Sequence, residues 1–321
     1  MSPCRIKRRS VQTVLADKCH YLGAIYKLTL IDNLKELQMN KKILIPTDFS
    51  KNAWNAVTYA ADLFKDTACT FYLLNAYKTT VHSRRDLVME NPADLSFEIE
   101  KTNSENGLAK ILEMLNLRTK NKNHSYISIS LLDDPISATK KTIEKKDIGL
   151  VVMGTKGSNN KVNMLLGSNT INAMENLRSC PILGIPLDAR LDTIKEIVLP
   201  TSYQTHFKRK ELINLVEIAQ LRNATVRVLH MSKNEELSID LQENQQLLEE
   251  CLEGASYTFH YVSGTDVPAA VQVFVESRDS DMVAFINKKH GFFDNLFTKP
   301  LVSALGKFSK VPLLVMHDTR D

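Results

Sequence analysis

The sequence predicts an α/β protein built as two tandem domains, each a five-stranded parallel sheet sandwiched between helices. Two observations carry this reading. Short runs of continuous apolar character alternate with stretches of helical periodicity, the pattern of strands covered on both faces. The same order of runs then occurs a second time along the chain, which reads as a duplication with its junction at 187–193.

In the first copy, "KKILIPT" is a short strand closed by Pro46. "SKNAWNAVTYAADLF" places Ala53, Val57, Ala60, Ala61 and Phe64 on one helical face, with Ser50 as the N-cap. "CTFYLLNA" reads as a buried strand and 93–117 as one long helix. "YISISLL" is a strand, "PISATKKTIEKK" a helix, "IGLVVMG" a strand, "SNTINAMENL" a helix and "PILGIP" the last strand. In the second copy, 196–220 repeats the first strand and helix, and "ATVRVLHM" repeats "CTFYLLNA". "YTFHYVSGTDVPAAVQVFVES" repeats the third strand and its helix, "DMVAFINKK" the fourth strand and "VPLLVMH" the fifth. Two copies of one fold in one chain pack as a pseudo-symmetric dimer.

The bulk composition excludes several classes. A chain of 321 residues, 43% hydrophobic and 24% charged, suits two globular domains. No apolar run reaches the ~20 residues that span a bilayer, so no membrane partner is expected. The five cysteines are scattered without CxxC spacing, which favours a reducing cytoplasm over disulfides or a zinc site. The eight histidines are dispersed, with no HExxH, and no metal site is expected. Residues 1–38 hold seven Lys/Arg and three acids, so the net charge of +4 resides there and the remainder is neutral. A neutral body offers no footprint for nucleic acid. Met39 opens "MNKKILIPTDFS", a typical start for a domain whose first strand is N-terminal. Residues 1–38 therefore read as a basic arm, a targeting peptide or an extension outside the native protein, with domains at 39–187 and 193–318.

Residues 154–170, "GTKGSNNKVNMLLGSNT", leave the fourth strand and re-enter a helix. In an open parallel sheet, ligands bind beyond the carboxyl ends of the strands where the winding reverses. Gly154 and Gly157 permit close backbone approach, so successive N–H groups converge on an anion. Gly167, Ser168, Asn169 and Thr170 sit at a helix start, whose free N–H groups and dipole suit a phosphate. Lys156 adds charge. On spacing alone, the stretch equally reads as an ordinary loop with a Ser/Asn helix cap, and Asp48 as a turn residue.

The spacing of Gly154, Gly157, Gly167 and Ser168, G-xx-G-(nine residues)-G-S, resembles the ATP-binding motif of the universal stress protein family. The strand ending "PTDFS" resembles that family's opening, and the likeness covers nearly all of 41–318 as two copies. The resemblance implies a Rossmann-like domain of the adenine nucleotide alpha hydrolase type that dimerises through its last strand. It implies ATP as the ligand, with Mg²⁺ held by the phosphates. Asp48, with Pro46 and Thr47 beside it, would lie near the adenosine. Ala76 would line the adenine pocket, Met153 and Gly154 would close the base and ribose side, and Gly157 with 167–170 would hold the phosphates.

The second copy departs from the pattern. Ser202 replaces Asp48, and Ile286 and Lys289 fall where Gly154 and Gly157 would be. Thr298-Lys299-Pro300 replaces Gly167-Ser168-Asn169, and Pro300 removes an N–H from the helix start. The expectation is one working ATP site per chain, in a regulatory stress-response protein with a degenerate second domain. The alternatives are a slow ATPase or nucleotide-dependent enzyme, and a stress scaffold that binds no nucleotide. A homodimer or a protein partner is compatible with each. The three Phe of "HGFFDNLF" (290–297) read as packing under a loop or as an interface.

Overall fold

The fold is that of a computed structural model, which describes residues 40–78, 92–118, 120–155, 168–189, 194–204, 206–232, 237–263, 267–287 and 310–318. The expectations for 1–38, Lys156, Gly157, Gly167, Lys289, "HGFFDNLF" and 298–300 lie outside these residues.

The first half of the chain runs β1 (Lys41–Pro46), α1 (Lys51–Leu63), β2 (Cys69–Tyr77), α2 (Pro92–Asn116), β3 (His124–Leu132), α3 (Pro135–Lys146), β4 (Leu150–Gly154), α4 (Ser168–Asn176) and β5 (Ile182–Ile185). The second runs β6 (Glu196–Thr201), α5 (Arg209–Arg222), β7 (Thr225–Ser232), α6 (Ile239–Cys251), β8 (Ser256–Ser263), α7 (Val267–Arg278), β9 (Met282–Asn287) and β10 (Leu313–His317). Local chemistry sets the helix ends. Ser50 caps α1, its Oγ accepting from the Ala53 N–H at 3.2 Å. Asp134 caps α3 ahead of Pro135, and Asp147 ends it in the left-handed region. Asn223 ends α5 in the same way.

All ten strands join one sheet in the order β3-β2-β1-β4-β5-β10-β9-β6-β7-β8. Each half contributes five strands, and pairing is parallel except where β5 meets β10. That junction pairs Ile182 with Val315, Leu183 with Leu314 and Gly184 with Leu313. Ile182 and Leu313 hold matching places in the two halves, since Val151 pairs with Ile182 as Val283 pairs with Leu313. The junction is therefore self-complementary, with Leu183 opposite Leu314 at its centre.

Alternating residues of the buried strands feed two cores. One face is covered by α1, α2, α5 and α6, through residues such as Val57, Leu108, Leu215 and Leu248. The other is covered by α3, α4 and α7, through Ile143, Met174 and Val271. The acid-rich "LEECLEG" segment (248–254) keeps Glu250 and Glu253 outside while Leu248, Cys251 and Leu252 enter the core. Cys69, Cys180 and Cys251 are buried free thiols. Among the described residues, no helix is long and apolar enough to cross a membrane, and no cluster of His, Cys, Asp and Glu could hold a metal.

Arg178, just beyond α4, reaches across the junction. Its guanidinium donates to the Asn287 carbonyl at 3.0 Å and to Asp318 Oδ1 at 2.9 Å. His317 is buried beside it. Burial, reinforced by the Arg178 charge and opposed by Asp318, pushes this imidazole down to about 4. Burial pushes His230 down as well. An imidazole in the unfolded chain titrates near 6.5, so between about pH 6.5 and pH 4 the unfolded chain binds protons that the folded one refuses. Stability must fall as pH falls through that window, with roughly 3 kcal/mol from His317. Urea unfolding across this range should show the decline, and His317→Gln should remove a large part of its slope.

Candidate functional site

β1 and β4 lie side by side, yet the chain leaves β1 toward β2 and β3 and leaves β4 toward β5. Their carboxyl ends border the crevice where the winding reverses, the place where an open α/β sheet receives ligands. The mouth of this crevice is made by the turn after β1, the end of β2, the end of β4 and the start of α4.

The turn, Thr47–Ser50, is tightly specified. Thr47 is buried, and its N–H donates to the Leu74 carbonyl at 2.8 Å, extending the pairing of β1 with β2. Its Oγ1 accepts from the Phe49 N–H at 3.1 Å. Asp48 Oδ1 accepts from the Ser50 N–H at 3.1 Å, an Asx turn that leaves the Asp48 side chain exposed at the lip. Phe49 takes a left-handed φ of 63° and lays its ring over Gly107 of α2. A Cβ on Gly107 would stand 2.4 Å from that ring, which would have to swing aside to admit it. From β2, Asn75 donates its amide to the Thr47 carbonyl at 2.7 Å, and the half-buried Ala76 follows it.

Gly154 ends β4 against α1. A Cβ there would lie 2.9 Å from both the carbonyl oxygen and the side-chain nitrogen of Asn52. The missing side chain lets α1 begin four residues past β1, directly over the crevice. α4 starts at Ser168, and its N–H groups are the donors available to an anion. The helix is fastened to β4 by Thr170, which is buried and donates its hydroxyl proton to the Gly154 carbonyl at 2.9 Å. That proton is committed to the strand, so Thr170 contributes its backbone N–H and its anchoring to the mouth. Asn169 is exposed at the helix start. Met153 is buried and belongs to the core on the α3 and α4 face, and Pro46 is half-buried as the last residue of β1. On the outer lip, Lys78 pairs with Asp134 at 2.8 Å and Lys141 with Asp133 at 2.7 Å, and each lysine holds its partner's carboxyl below the usual carboxylate range.

Pro46, Thr47, Asp48, Ala76, Gly154 and the start of α4 thus converge on one crevice. Asn75 and Phe49 belong to the same mouth, and sequence reading passed over both. A polar Asn at the end of the apolar run "FYLLNA" was the available signal for the first; nothing in the pattern marked the second.

The second half places bulkier side chains around the matching crevice between β6 and β9. Matching Ile43 with Ile197 makes Leu150 and Met282 equivalent, because each pairs with that residue in its own half. Ile286 then stands at the place of Gly154, as its position in the sequence suggested. Similarly, Met231 stands at the place of Ala76, His230 at Asn75 and Tyr203 at Phe49. Met231, Ile286 and Tyr203 are buried, Tyr203 completely. Tyr203 stacks on His230 with ring centroids 4.4 Å apart. Seven residues separate β6 from α5, and by the matched strands the helix starts about one turn later than α1, leaving room for Ile286. Gly154→Ala should therefore push α1 off β4 and cost about 1–3 kcal/mol, the range for overpacking a well-packed core. Thermal and urea unfolding of the variant measure this.

Comparison with known proteins follows the same division of the chain. A model of the universal stress protein family matches residues 39–185. A universal stress protein of Methanocaldococcus jannaschii is 30% identical over 145 residues, which are 45% of this chain and 81% of that relative. Among solved structures, a universal stress protein from Archaeoglobus fulgidus superposes with a TM-score of 0.62 at 17% identity, covering 85% of this chain and 95% of that one. A protein of unknown function from Pseudomonas aeruginosa PAO1 gives 0.55 at 14% identity, covering 88% of this chain and 94% of that one. At these identities the two structures share the fold.

Proposed function

The chain belongs to the universal stress protein family, and we propose that it is a cytoplasmic regulatory protein that binds one ATP, in its first repeat. The repeats span 39–187 and 193–318 and are joined as a pseudo-dimer through β5 and β10. The self-complementary register at that junction supports the pairing.

The observation that carries the proposal is the contrast between the two crevices. The first is bordered by small or short side chains, Gly154, Ala76 and Asp48, and by the start of α4. The second holds Ile286, Met231 and a buried Tyr203 in the matching places. A flat base needs the space that Ala76 leaves, and Asp48 is an acceptor for ribose or base N–H and O–H groups. The α4 N–H groups, Ser168 and Asn169, with Lys156, Gly157 and Gly167 of the preceding loop, would hold the phosphates. Mg²⁺ would sit on the phosphates. ATP would serve as a bound signal: this reading assigns phosphate binding to backbone N–H groups and gives no residue the role of activating water.

Titration calorimetry of the full chain with Mg-ATP should give one site, and Gly167→Val should abolish it with the fold intact by circular dichroism. Multi-turnover phosphate release should stay at background. Binding at two sites, or none, contradicts the proposal; sustained turnover favours the enzyme.

A further inference from the structure

We infer that Asn75 is a positioning residue for ligand recognition: its side-chain amide sets the turn that carries Asp48. The inference rests on the proposed ATP site in the first repeat.

Three consecutive residues of β2 act on this mouth. The Leu74 carbonyl receives the Thr47 N–H at 2.8 Å, Asn75 Nδ2 donates to the Thr47 carbonyl at 2.7 Å, and Ala76 borders the crevice. Thr47 is thereby held through both of its backbone polar groups, immediately before Asp48. Both Thr47 and Asn75 are buried, so the bond between them is shielded from water. Removing the amide leaves a buried carbonyl without its partner, and the turn relieves this by moving outward. Asp48 moves with it.

The second repeat builds the corresponding turn from different side chains. Its β6 and β7 pair in the same register, with Thr201 opposite His230. The residue at the place of Asn75 is His230, whose buried ring stacks on Tyr203 and lies against the Thr201 backbone. From α6, Asn244 adds a second hold on that turn, donating to the Tyr203 carbonyl at 2.7 Å. In both repeats the residue opposite the first threonine thus reaches that threonine's backbone; in the first repeat it is an amide, and the residue it sets is Asp48.

In the nucleotide-free first repeat, loosening the turn lowers the fraction of molecules with Asp48 in its binding position, and apparent affinity falls by that fraction. The test measures two quantities on the full chain: ATP affinity by calorimetry, and amide exchange of residues 47–50 without nucleotide. Asn75→Leu keeps the branched shape and removes the donor. It should weaken ATP binding about tenfold and accelerate exchange at Phe49 and Ser50, leaving β4 amides unchanged. Asn75→Ser, with a hydroxyl too short to span to Thr47, serves in the same comparison should the Leu variant fail to fold. Unchanged affinity, or weakened affinity with unchanged exchange at the turn, overturns the inference. If the wild-type chain itself binds no ATP, the proposed function has failed, and that result is distinct from a wild type that binds and a variant that binds equally well.

Discussion

How closely the first helix can approach the fourth strand decides what the crevice between β1 and β4 can be. The Asn52 carbonyl stands where a side chain on residue 154 would begin, so glycine at this place and an early start for α1 require each other. The early start shortens the connection after β1 to four residues, and those residues must turn sharply. They do so with a left-handed Phe49, an Asx turn at Asp48 and a buried Thr47 fixed to β2. At the other end, the Gly154 carbonyl is the anchor for Thr170 and so for the start of α4. One absent side chain thus links the positions of α1, the turn that carries Asp48 and the N-terminal end of α4.

The second half shows the same scaffold with that link released. Ile286 occupies the place of Gly154, α5 starts later, and the longer connection folds Tyr203 inward onto His230. The two halves still meet through a junction whose register maps onto itself about Leu183 and Leu314. Edge-to-edge pairing leaves β3 and β8 as the outer strands of a single sheet and buries the Leu, Ile and Val side chains of β5 and β10. The two halves therefore match at the junction and differ at the crevices between β1 and β4 and between β6 and β9.

Much of this was legible in the residues. Continuous apolar runs such as "IGLVVM" mark strands buried on both faces, and their boundaries fell within one or two residues for most elements. The duplication was visible in "KILIPT" and "EIVLPT", and the match of Gly154 with Ile286 agrees with the sheet register. Less was legible at the mouth. Backbone-directed contacts, such as Asn75 to the Thr47 carbonyl, depend on which strands become neighbours and leave no periodic trace. That the hydroxyl of Thr170 is spent on Gly154 was likewise unmarked, because it depends on the helix start lying against the strand end. The bulk that the second half places at the matching positions was also hidden: Met231 and Tyr203 are ordinary apolar and aromatic residues until the strand register sets them at the places of Ala76 and Phe49.

The central claim is that one crevice is open to a nucleotide and the other is occupied by the protein's own side chains. Hydrogen–deuterium exchange of the full chain, with and without saturating Mg-ATP, tests it most directly. The account predicts protection at 47–50, 153–155 and 168–171, with no change at 201–204, 230–231 and 285–287. Equal protection at the two sets, or protection at the second set alone, would contradict it.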